Sequence, residues 1–449
     1  MTQAITTENN TLSLSEGYKH TDVGLIPSDW DIHYLGNVCN LINGRGFKPY
    51  EWSREGLPII RIQNLNGSDD FNYFDGDFNT KILINDGQLL FAWSGSRGTS
   101  FGPHIWYGDD ALLNYHTWKM VIKEGIESKY FFHALKALTK VIEDSAHGAS
   151  ALVHTQMGEM KKFLMPIPRS YEEQTIIANA LSDVDALLSE LEKLIAKKQE
   201  IKTATMQQLL TGKARLPQFS TYTGGDKQGQ IKGTKSSELG EIPEDWGVLS
   251  IGECSIKVGS GKTPKGGSSV YVDSGRPFVR SQNIGWGQLR LSDLSYITEE
   301  IHQTFSGSEI KTDDVLLNIT GASIGRCALA NQQIEKGNVN QHVCIIRLNS
   351  KKVKPYILQA LVNSELGQNQ IDSYQAGGNR EGLNFSQVKN LKFPFSSIPK
   401  EQIAIATILS DMDEEIQALK QRLSKTRQIK QGMMQELLTG RTRLPFEKE

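Results

Sequence analysis

Two histidines at matching places in the sequence are the first candidates for catalysis, because an imidazole gains or loses a proton near neutral pH. His116 follows Asn114 by two residues, and His342 follows Asn340 in the same way. The nine histidines show neither an HExxH pattern nor paired metal-ligand spacing. Catalytic histidines would need other catalytic motifs in the chain, and we find none. We therefore expect His116 and His342 to be polar structural groups or nucleic-acid contacts, with a catalytic role as the alternative.

A glycine-rich segment, Gly-Ser-Gly-Lys-Thr at 259–263, resembles the end of a phosphate-binding loop. The full motif needs glycine at position 256, which is Ile256 here. The pattern therefore favours a turn beside a strand over a nucleotide site. No dinucleotide fingerprint and no adenine-methyltransferase motif is present in the sequence. The glycines and proline recur in the first half without the Lys-Thr pair: Gly259, Gly261 and Pro264 match Gly44, Gly46 and Pro49.

An internal repeat runs along nearly the whole chain. The last repeated block aligns without a gap and has 21 identities in 45 positions, whereas the upstream segments match more loosely. Each half therefore joins a divergent globular part to a closely matched tail, and we expect a pseudo-two-fold arrangement. The matched segments are Gly24–Trp30 with Gly240–Trp246, Leu57–Leu65 with Arg276–Ile284, and Glu173–Pro217 with Glu401–Pro445.

Each tail is predicted to be a long helix, the first over 170–212. Ser170 and Glu173 form a capping-box pattern at its start, and Gly212, repeated as Gly440, is a C-terminal stop. Apolar residues spaced three and four apart predict a coiled-coil seam. We expect the two helices to pack antiparallel; the alternative is that each packs separately on its own domain. The seam residues are Leu181, Val184, Leu188, Leu191 and Ile195, repeated as Leu409, Met412, Ile416, Leu419 and Leu423.

The globular parts contain short β-rich runs separated by glycine-rich turns, with helical pieces between them, which is typical of an α+β fold. We predict two pseudo-symmetric mixed α/β domains separated by two long antiparallel coiled-coil helices. The predicted segments are a loose N-terminus (1–16), domain 1 (17–169), helix segment 1 (170–217), a linker (218–232), domain 2 (233–396) and helix segment 2 (397–445).

Composition is that of an ordinary globular protein, with 449 residues, 38% hydrophobic residues and a formal net charge of −2. No apolar run approaches the roughly 18 residues that a membrane span needs. The four cysteines lack metal-ligand spacing, and Cys39 and Cys254 lie close to equivalent places, which favours two buried thiols over a bridge. We expect a reduced cytoplasmic location and no membrane partner.

Four motifs together resemble the specificity subunit of type I restriction–modification systems: the IPxxW opening, Arg-x-Gln-Asn, the Pro…Glu-Gln helix start and the QxLLTGxxRLP ending. The resemblance covers almost the whole chain and is duplicated. It implies that each domain is a target-recognition domain for one half of a split double-stranded DNA sequence. It also implies docking of two methyltransferase subunits, and of restriction subunits, by a non-catalytic chain. S-adenosylmethionine, ATP and Mg²⁺ are then expected on those partner subunits and no cofactor on this chain.

Candidate DNA-contacting residues are polar side chains on loops beside strands, because Arg or Lys suits guanine and Asn or Gln suits adenine. The Gln-Asn pairs occur in both halves, so shaping a common turn or contacting phosphate is an alternative for them. Arg97, Asn379 and Arg380 lie in less matched segments and are better candidates for specificity. The candidates are Arg45, Lys48, Arg61, Gln63, Asn64, Ser96 and Arg97 in the first half, and Lys262, Lys265, Arg280, Gln282, Asn283, Ser323, Arg326, Asn379 and Arg380 in the second.

Two other functions fit the pattern. A scaffold that binds no DNA could use a helix pair to hold two ligand-binding domains. The chain could also be the recognition subunit of a related system in which nuclease and methyltransferase share a chain.

Overall fold

The computed structural model describes residues 17–146, 151–349, 351–375 and 382–445. Contacts divide the chain into two compact units. Unit 1 consists of Met1–Lys193 and Gln421–Glu449, and unit 2 consists of Leu194–Lys420. The units differ from the predicted segments because the boundary divides each long helix between them. Each unit therefore contains one globular domain, the first half of one tail helix and the second half of the other.

Unit 1 is built around two four-stranded sheets. The first is antiparallel with strand order β10-β8-β12-β4; the second has order β6-β5-β11-β7, in which β5 and β11 are parallel. Its helices are α1 (Leu35–Val38), α2 (Ile62–Leu65), α3 (Ser128–Ser145), α4 (Met157–Met160) and the start of α5 (Tyr171–Leu210). Its strands are β1 (Tyr18–Thr21), β2 (Gly24–Pro27), β3 (Trp30–Tyr34), β4 (Cys39–Asn43), β5 (Leu57–Ile60), β6 (Asn72–Phe74), β7 (Leu83–Ile84), β8 (Leu89–Ala92), β9 (Ser94–Ser96), β10 (Gly102–Ile105), β11 (Ala111–Leu113), β12 (Thr117–Ile122), β13 (Leu152–His154) and β14 (Leu164–Pro168).

Unit 2 repeats this architecture. Its first sheet has order β18-β24-β21-β22, and its second has order β20-β19-β23 with β19 and β23 parallel. Its helices are α6 (Ile251–Cys254), α7 (Glu299–Gln303), α8 (Pro355–Asn363), α9 (Glu365–Gln375), α10 (Phe385–Asn390) and the start of α11 (Pro399–Leu437). Its strands are β15 (Thr234–Ser237), β16 (Gly240–Pro243), β17 (Trp246–Ser250), β18 (Ser255–Ser260), β19 (Arg276–Val279), β20 (Ser295–Ile297), β21 (Val315–Asn318), β22 (Cys327–Leu329), β23 (Asn338–Val339), β24 (Val343–Leu348) and β25 (Lys392–Ser396).

The sheets form where apolar runs can be buried on both faces. All four residues of β8 and all four of β21 are buried, so these central strands read as continuous apolar segments rather than alternating ones. Each first sheet packs with a helix of the same unit and with the tail helices into one large core. A smaller core in each unit lies between the second sheet and the first, to which Leu90 contributes in unit 1 and Leu316 and Ile345 in unit 2. The predicted α+β class is confirmed.

The long helices α5 and α11 pack antiparallel within each unit. In unit 1, Lys430 pairs with Asp185, and Arg427 pairs with Glu192. Because residue numbers rise along one helix as they fall along the other, the helices run in opposite directions. The same order holds in unit 2, where Lys198 pairs with Glu415 at 2.7 Å and Lys202 pairs with Asp413. All ten predicted seam residues are buried or half-buried, as expected for side chains that face a partner helix.

Glycine ends both tails for two physical reasons. Gly212 and Gly440 have φ of +73° and +69°, a region that side chains with a Cβ rarely adopt. A Cβ would also overlap Pro243 at the first position and Pro27 at the second. The helix start differs from the prediction in one respect. Ser170 Oγ accepts from the Glu173 backbone at 3.2 Å, but the Glu173 carboxylate binds other partners instead of closing a capping box.

The phosphate-loop resemblance at 259–263 is explained by strand structure. Strand β18 ends at Ser260, and Gly261 lies against the backbone of β23, where a Cβ would overlap Val339. The predicted match of Gly44 with Gly259 is wrong by two residues. Gly44 directly follows β4, and a Cβ there would overlap the backbone of Asn114, just as one at Gly261 would overlap the backbone of Val339. The counterpart of Gly44 is therefore Gly261.

The prediction of buried thiols rather than a bridge is confirmed, because Cys39 and Cys254 are both free and buried. Burial raises the pKa of Cys39 to about 12 and that of Cys254 to about 11, so both stay protonated at neutral pH. None of the helices in the described part of the chain is long and apolar enough to cross a membrane.

Candidate nucleic-acid interface

Three loops of unit 2 meet at one edge of its sheets. They follow β19, follow β21 and join β23 to β24. Because β19 and β23 are parallel, their carboxyl ends lie side by side and bring the loops together. The loops enclose a cleft of about 570 Å³. Seven of its nine lining residues have polar side chains, and the full lining is Ser281, Gln282, Arg290, Thr320, Gly321, Ala322, Ser323, Arg326 and His342.

Unit 1 has the same three loops. They follow β5, follow β8 and join β11 to β12, and β5 and β11 are again parallel. Gln63, Ser94 and His116 occupy the places of Gln282, Thr320 and His342, as the strand registers show. Burial lowers the pKa of His116 below its usual value, so its ring is neutral at neutral pH.

An arginine stacks on an aromatic ring at the start of the first loop in each unit. The Arg61 guanidinium lies 5.6 Å from the Trp52 ring centre, and that of Arg280 lies 5.5 Å from the Tyr271 ring centre. The Nε atom of each arginine is buried without a hydrogen-bond partner among the described residues. Both arginines are half-buried, and Arg280 Nη2 also pairs with the Asp293 carboxylate at 3.3 Å. A stacked, partly exposed cation of this kind suits a phosphate or a base edge.

The asparagine and the glutamine of the shared Gln-Asn pair have different roles. Asn64 is 7% exposed and Asn283 is 1% exposed. Each accepts a hydrogen bond from the backbone N–H of the preceding arginine, at 3.0 and 2.9 Å, and donates to carbonyl oxygens across the turn. The asparagines thus shape a common turn, one of the two roles considered from the sequence. Gln63 and Gln282 are exposed beside it.

A second feature found in both units fixes the end of a tail helix to a domain. In unit 1, Arg443 donates to Glu173 at 2.8 and 2.6 Å and to Asp29 at 2.9 Å, and the Trp30 indole N–H donates to Glu173 at 3.3 Å. This arginine cluster joins the RLP ending, the IPxxW opening and the start of α5. Three sequence motifs that are far apart along the chain therefore form one structure.

Unit 2 contains the same arginine cluster. Arg215 donates to Glu401 at 2.6 and 2.9 Å and to Asp245 at 2.8 Å, and the Trp246 indole N–H donates to Glu401 at 3.1 Å. Burial alone would raise the pKa of Asp245, but hydrogen bonds from Arg215 and Lys232 hold it below its usual value. The carboxylate is therefore ionised and paired at neutral pH.

Comparison with known proteins identifies the family. The family model described as "Type I restriction modification DNA specificity domain" matches residues 27–203 and again 243–428. The chain belongs to this family. The specificity subunit of the type I restriction enzyme MjaVIII of Methanocaldococcus jannaschii is 24% identical, over 96% of each chain. That of EcoBI of Escherichia coli is 26% identical, over 84% of this chain and 78% of the relative.

The fold agrees with this assignment. The crystal structure of a type I restriction–modification S subunit from M. genitalium matches 97% of this chain and 99% of its own, with a TM-score of 0.58 at 16% identity. A chain from a study of complex assembly in the type I system matches with a TM-score of 0.51 at 15% identity. Each unit is thus a target-recognition domain with its helix segments, and the specificity-subunit interpretation replaces the scaffold alternative.

Specificity subunits as a family are non-catalytic and act within a restriction–modification assembly on DNA. DNA and other subunits of such a system are therefore the partners of this chain. Among the described residues, no three His, Cys, Asp or Glu side chains are grouped as a metal site requires.

The structure brings some predicted DNA-contacting residues of this specificity subunit together. Gln282, Ser323 and Arg326 line one cleft. Arg45 instead forms an ion pair with Glu51 and stacks on Phe47 at 4.7 Å. Their contact with DNA stays a prediction. Lys48, Lys262 and Lys265 are exposed and are not among the residues that line the cleft of unit 2, and Lys262 donates to the Thr304 carbonyl oxygen at 3.0 Å.

The residues proposed for specificity are divided between ordered and undescribed segments. Arg97 donates to the Glu143 carbonyl oxygen at 2.8 Å and lies 3.8 Å from Asp144, and Ser96 donates its backbone N–H to Ser100. Asn379 and Arg380 lie outside the described residues. Reasoning from sequence missed Arg290 and Thr320, which line the cleft. Arg290 has the right side chain for a base edge but no arginine counterpart in the first half, so the repeat did not mark it.

Proposed function

We propose that each unit reads one half of a bipartite double-stranded DNA target. The three loops that form the cleft of unit 2 are repeated in unit 1, but the side chains on the two sets of loops differ. Two similar frames with different polar linings suit two half-sites that differ in sequence. This pairing of a common frame with a divergent lining is the observation that carries the proposal.

The matched tails support docking of two copies of one methyltransferase subunit. Both units have the same arginine cluster and the same antiparallel helix pair, so both offer equivalent surfaces to identical partners. Equivalent surfaces on one chain bind two copies of a protein in pseudo-symmetric fashion. Restriction subunits would join the same assembly.

Catalysis is assigned to the partner subunits. S-adenosylmethionine would be held by the methyltransferase subunits, and ATP and Mg²⁺ by the restriction subunits. This chain then contributes target choice, orientation and spacing of the two half-sites. Adenine methylation needs the base flipped from the duplex, so the chain must also hold the DNA while an adjacent subunit acts. A cytoplasmic location fits this role.

Modified-base sequencing of a host that carries the complete system tests the proposal. We expect one methylated motif with two defined half-sites, a gap of fixed length and one modified adenine in each half. Deleting this gene should abolish that modification, and restoring it should return the same motif. A continuous motif without a gap, or unchanged methylation in the deletion strain, would contradict the proposal.

A further inference from the structure

The cleft of unit 2 contains one set of side chains that unit 1 repeats and another that it does not. Gln282, Thr320 and His342 have the counterparts Gln63, Ser94 and His116. The cleft arginines are not repeated in this way. Ala92 and Asn318 are equivalent residues of the two units. Ala92 pairs with Gly102, and Asn318 donates its backbone N–H to the Arg326 carbonyl oxygen, so strand pairing places Gly102 at the position of Arg326.

Side chains that both units repeat among otherwise different ones suit a part of the target that both half-sites share. The following step rests on the proposed function. If two copies of the same methyltransferase act, one in each half-site, both half-sites must present the same acceptor base to identical active sites. The acceptor adenine and its paired thymine are then the base pair that two otherwise different half-sites have in common.

The repeated glutamine has the chemistry that this pair requires. A glutamine amide can bond both N6 and N7 of adenine, which distinguishes adenine from the other bases in the major groove. The glutamine that both units have thus matches an adenine that both half-sites have. The cleft arginines that unit 1 does not repeat match bases that differ between the half-sites. Guanine is the base that arginine contacts most often.

Each glutamine is exposed and already oriented. The Nε2 atom of Gln63 donates to the Asp70 carbonyl oxygen at 3.2 Å, and that of Gln282 donates to the Asp293 carboxylate. The turn asparagines bond to the same two aspartates, so both glutamines are held by equivalent loops. In the described structure, the second amide hydrogen and the carbonyl oxygen of each glutamine are left without a hydrogen-bond partner.

The neighbouring histidine and hydroxyl limit where a base can lie. Thr320 Oγ1 and His342 Nδ1 are 2.5 Å apart, and the Gln341 amide lies 3.1 Å from His342 Nε2. In unit 1, the His116 ring lies 3.7 Å from the Tyr115 ring centre. Both histidines are therefore held in place by contacts within their own unit, and His342 lines the cleft of unit 2.

We propose that Gln63 and Gln282 each contact the acceptor adenine–thymine pair of their own half-site while the adenine is still stacked in the duplex, before it is flipped, whereas the unshared arginines read the remaining bases. The loops that both units share thereby align the same base pair in both half-sites for the two methyltransferase subunits. Gln63 and Gln282 are binding residues in this assignment, with no part in the transfer of the methyl group.

Competition binding with the assembled methyltransferase complex tests the assignment. The duplexes carry the target or one replaced base pair at a time. The wild-type complex should prefer adenine–thymine over guanine–cytosine at both acceptor positions by about tenfold or more, the usual discrimination of one bidentate contact. Gln282→Ala should reduce that preference to within about twofold at the second acceptor pair only, and Gln63→Ala should do so at the first.

A matched control variant tests whether the effect is specific to the cleft glutamines. Gln303→Ala changes an exposed glutamine of unit 2 that bonds to Glu299, and it should leave every preference unchanged. Should Gln282→Ala fail to assemble, Gln63→Ala and the shorter amide of Gln282→Asn provide the same test. If the wild-type complex shows no preference at any pair, the proposed function fails rather than the assignment of the glutamines.

Three results would overturn the assignment. The preference could be lost at a different base pair, which would make glutamine a reader of unshared sequence. Binding could weaken equally for all duplexes with a smaller salt dependence, which indicates a phosphate contact. The preference at the acceptor pair could also persist in both glutamine variants.

Discussion

Arg215 and Arg443 each bind two carboxylates and fix the end of a long helix to a globular domain. Glu401 is fully buried and Glu173 is 3% exposed, so the charge of each carboxylate is compensated by its arginine rather than by water. A buried charge that loses its partner destabilises a protein far more than a broken surface pair does. The two clusters therefore join the sequence motifs to the stability of the fold.

Replacing Arg443 with alanine should lower the free energy of unfolding of unit 1 by about 3 kcal/mol or more, because it leaves Glu173 buried and unpaired. Urea unfolding measures the change. Arg169→Ala is the matched control, since the Arg169 pair with Asp31 is exposed to solvent and its loss should change the free energy of unfolding far less. Equal losses in the two variants would show that the cluster behaves as a surface pair.

His133 gives unit 1 a specific dependence on pH. The side chain is buried, and burial lowers its pKa to about 4. Asp185 opposes this shift, whereas Lys430, Lys136 and Lys129 add to it. An unfolded histidine has a pKa near 6.5, so the unfolded state binds more protons between about pH 6.5 and pH 4. The neutral histidine thus leaves stability intact above pH 6.5, and stability falls as the pH drops towards 4.

His133→Gln should remove this loss, which amounts to roughly 3 kcal/mol across the window. Glutamine is the replacement because its amide is polar, as imidazole is, but does not titrate in this pH range. The measurement is the urea midpoint at several pH values between 7 and 4 for both proteins. Parallel curves for the two proteins would mean that another group controls the acid sensitivity.

The role of a residue could be predicted from sequence only where its local surroundings allowed a single role. The glycines that end the tails follow from the need for positive φ and are confirmed. Glu173 was assigned to a capping box because its spacing from Ser170 fits one, but a distant arginine competes for the carboxylate. Sequence spacing reports local partners, and Arg443 lies 270 positions away.

At the scale of elements, the helix pair is predicted most completely. A strict three-and-four spacing of apolar residues specifies one face, and all ten seam residues lie on a buried or half-buried face. The cross-helix ion pairs were not predictable, because they depend on the register of the two helices. Asp185 with Lys430 and Asp413 with Lys202 are the same pair in the two units, so the repeat preserves that register.

Lengthening both helices by seven residues, after Lys198 and after Glu415, should lengthen the preferred gap between half-sites. Seven residues add about 10 Å and nearly two full turns, so the seam stays in phase. About three base pairs span that rise, given about 34 Å per turn of DNA. The measurement is methylation of duplexes in which the gap varies one pair at a time.

The matched control adds seven residues to the linker 218–232, which should leave the preferred gap unchanged. An unchanged optimum in an active variant with two lengthened helices would show that the helices do not set the gap. A changed optimum in the linker variant would give the linker that role instead.

At the scale of the whole molecule, the repeat predicted two similar units, but not how the chain divides between them. Unit 1 combines the first domain with the last 29 residues of the sequence, because the RLP ending binds the IPxxW opening. In unit 2 the corresponding motifs follow each other along the chain. The predicted segments follow the order of the chain, whereas the two compact units divide each long helix between them.

The chain alone should neither transfer methyl groups nor bind S-adenosylmethionine, because we assign both to the methyltransferase subunits. Calorimetric titration of the purified chain with the cofactor should show no binding, and a methyl-transfer assay should show no turnover. The assembled complex is the positive control for both. Stoichiometric cofactor binding by the chain alone would contradict the assignment of catalysis to partner subunits.

Independent reading of two half-sites by two units is the central claim, and a domain exchange tests it most directly. Residues 17–168 would be replaced by the corresponding domain of another specificity subunit, with Glu173, Asp29 and Trp30 kept so that the arginine cluster of unit 1 still forms. Methylation mapping of the chimera should show one new half-site beside the original second half-site. A wholly new motif would contradict independent reading by the two units, as would complete loss of methylation by a chimera that still assembles.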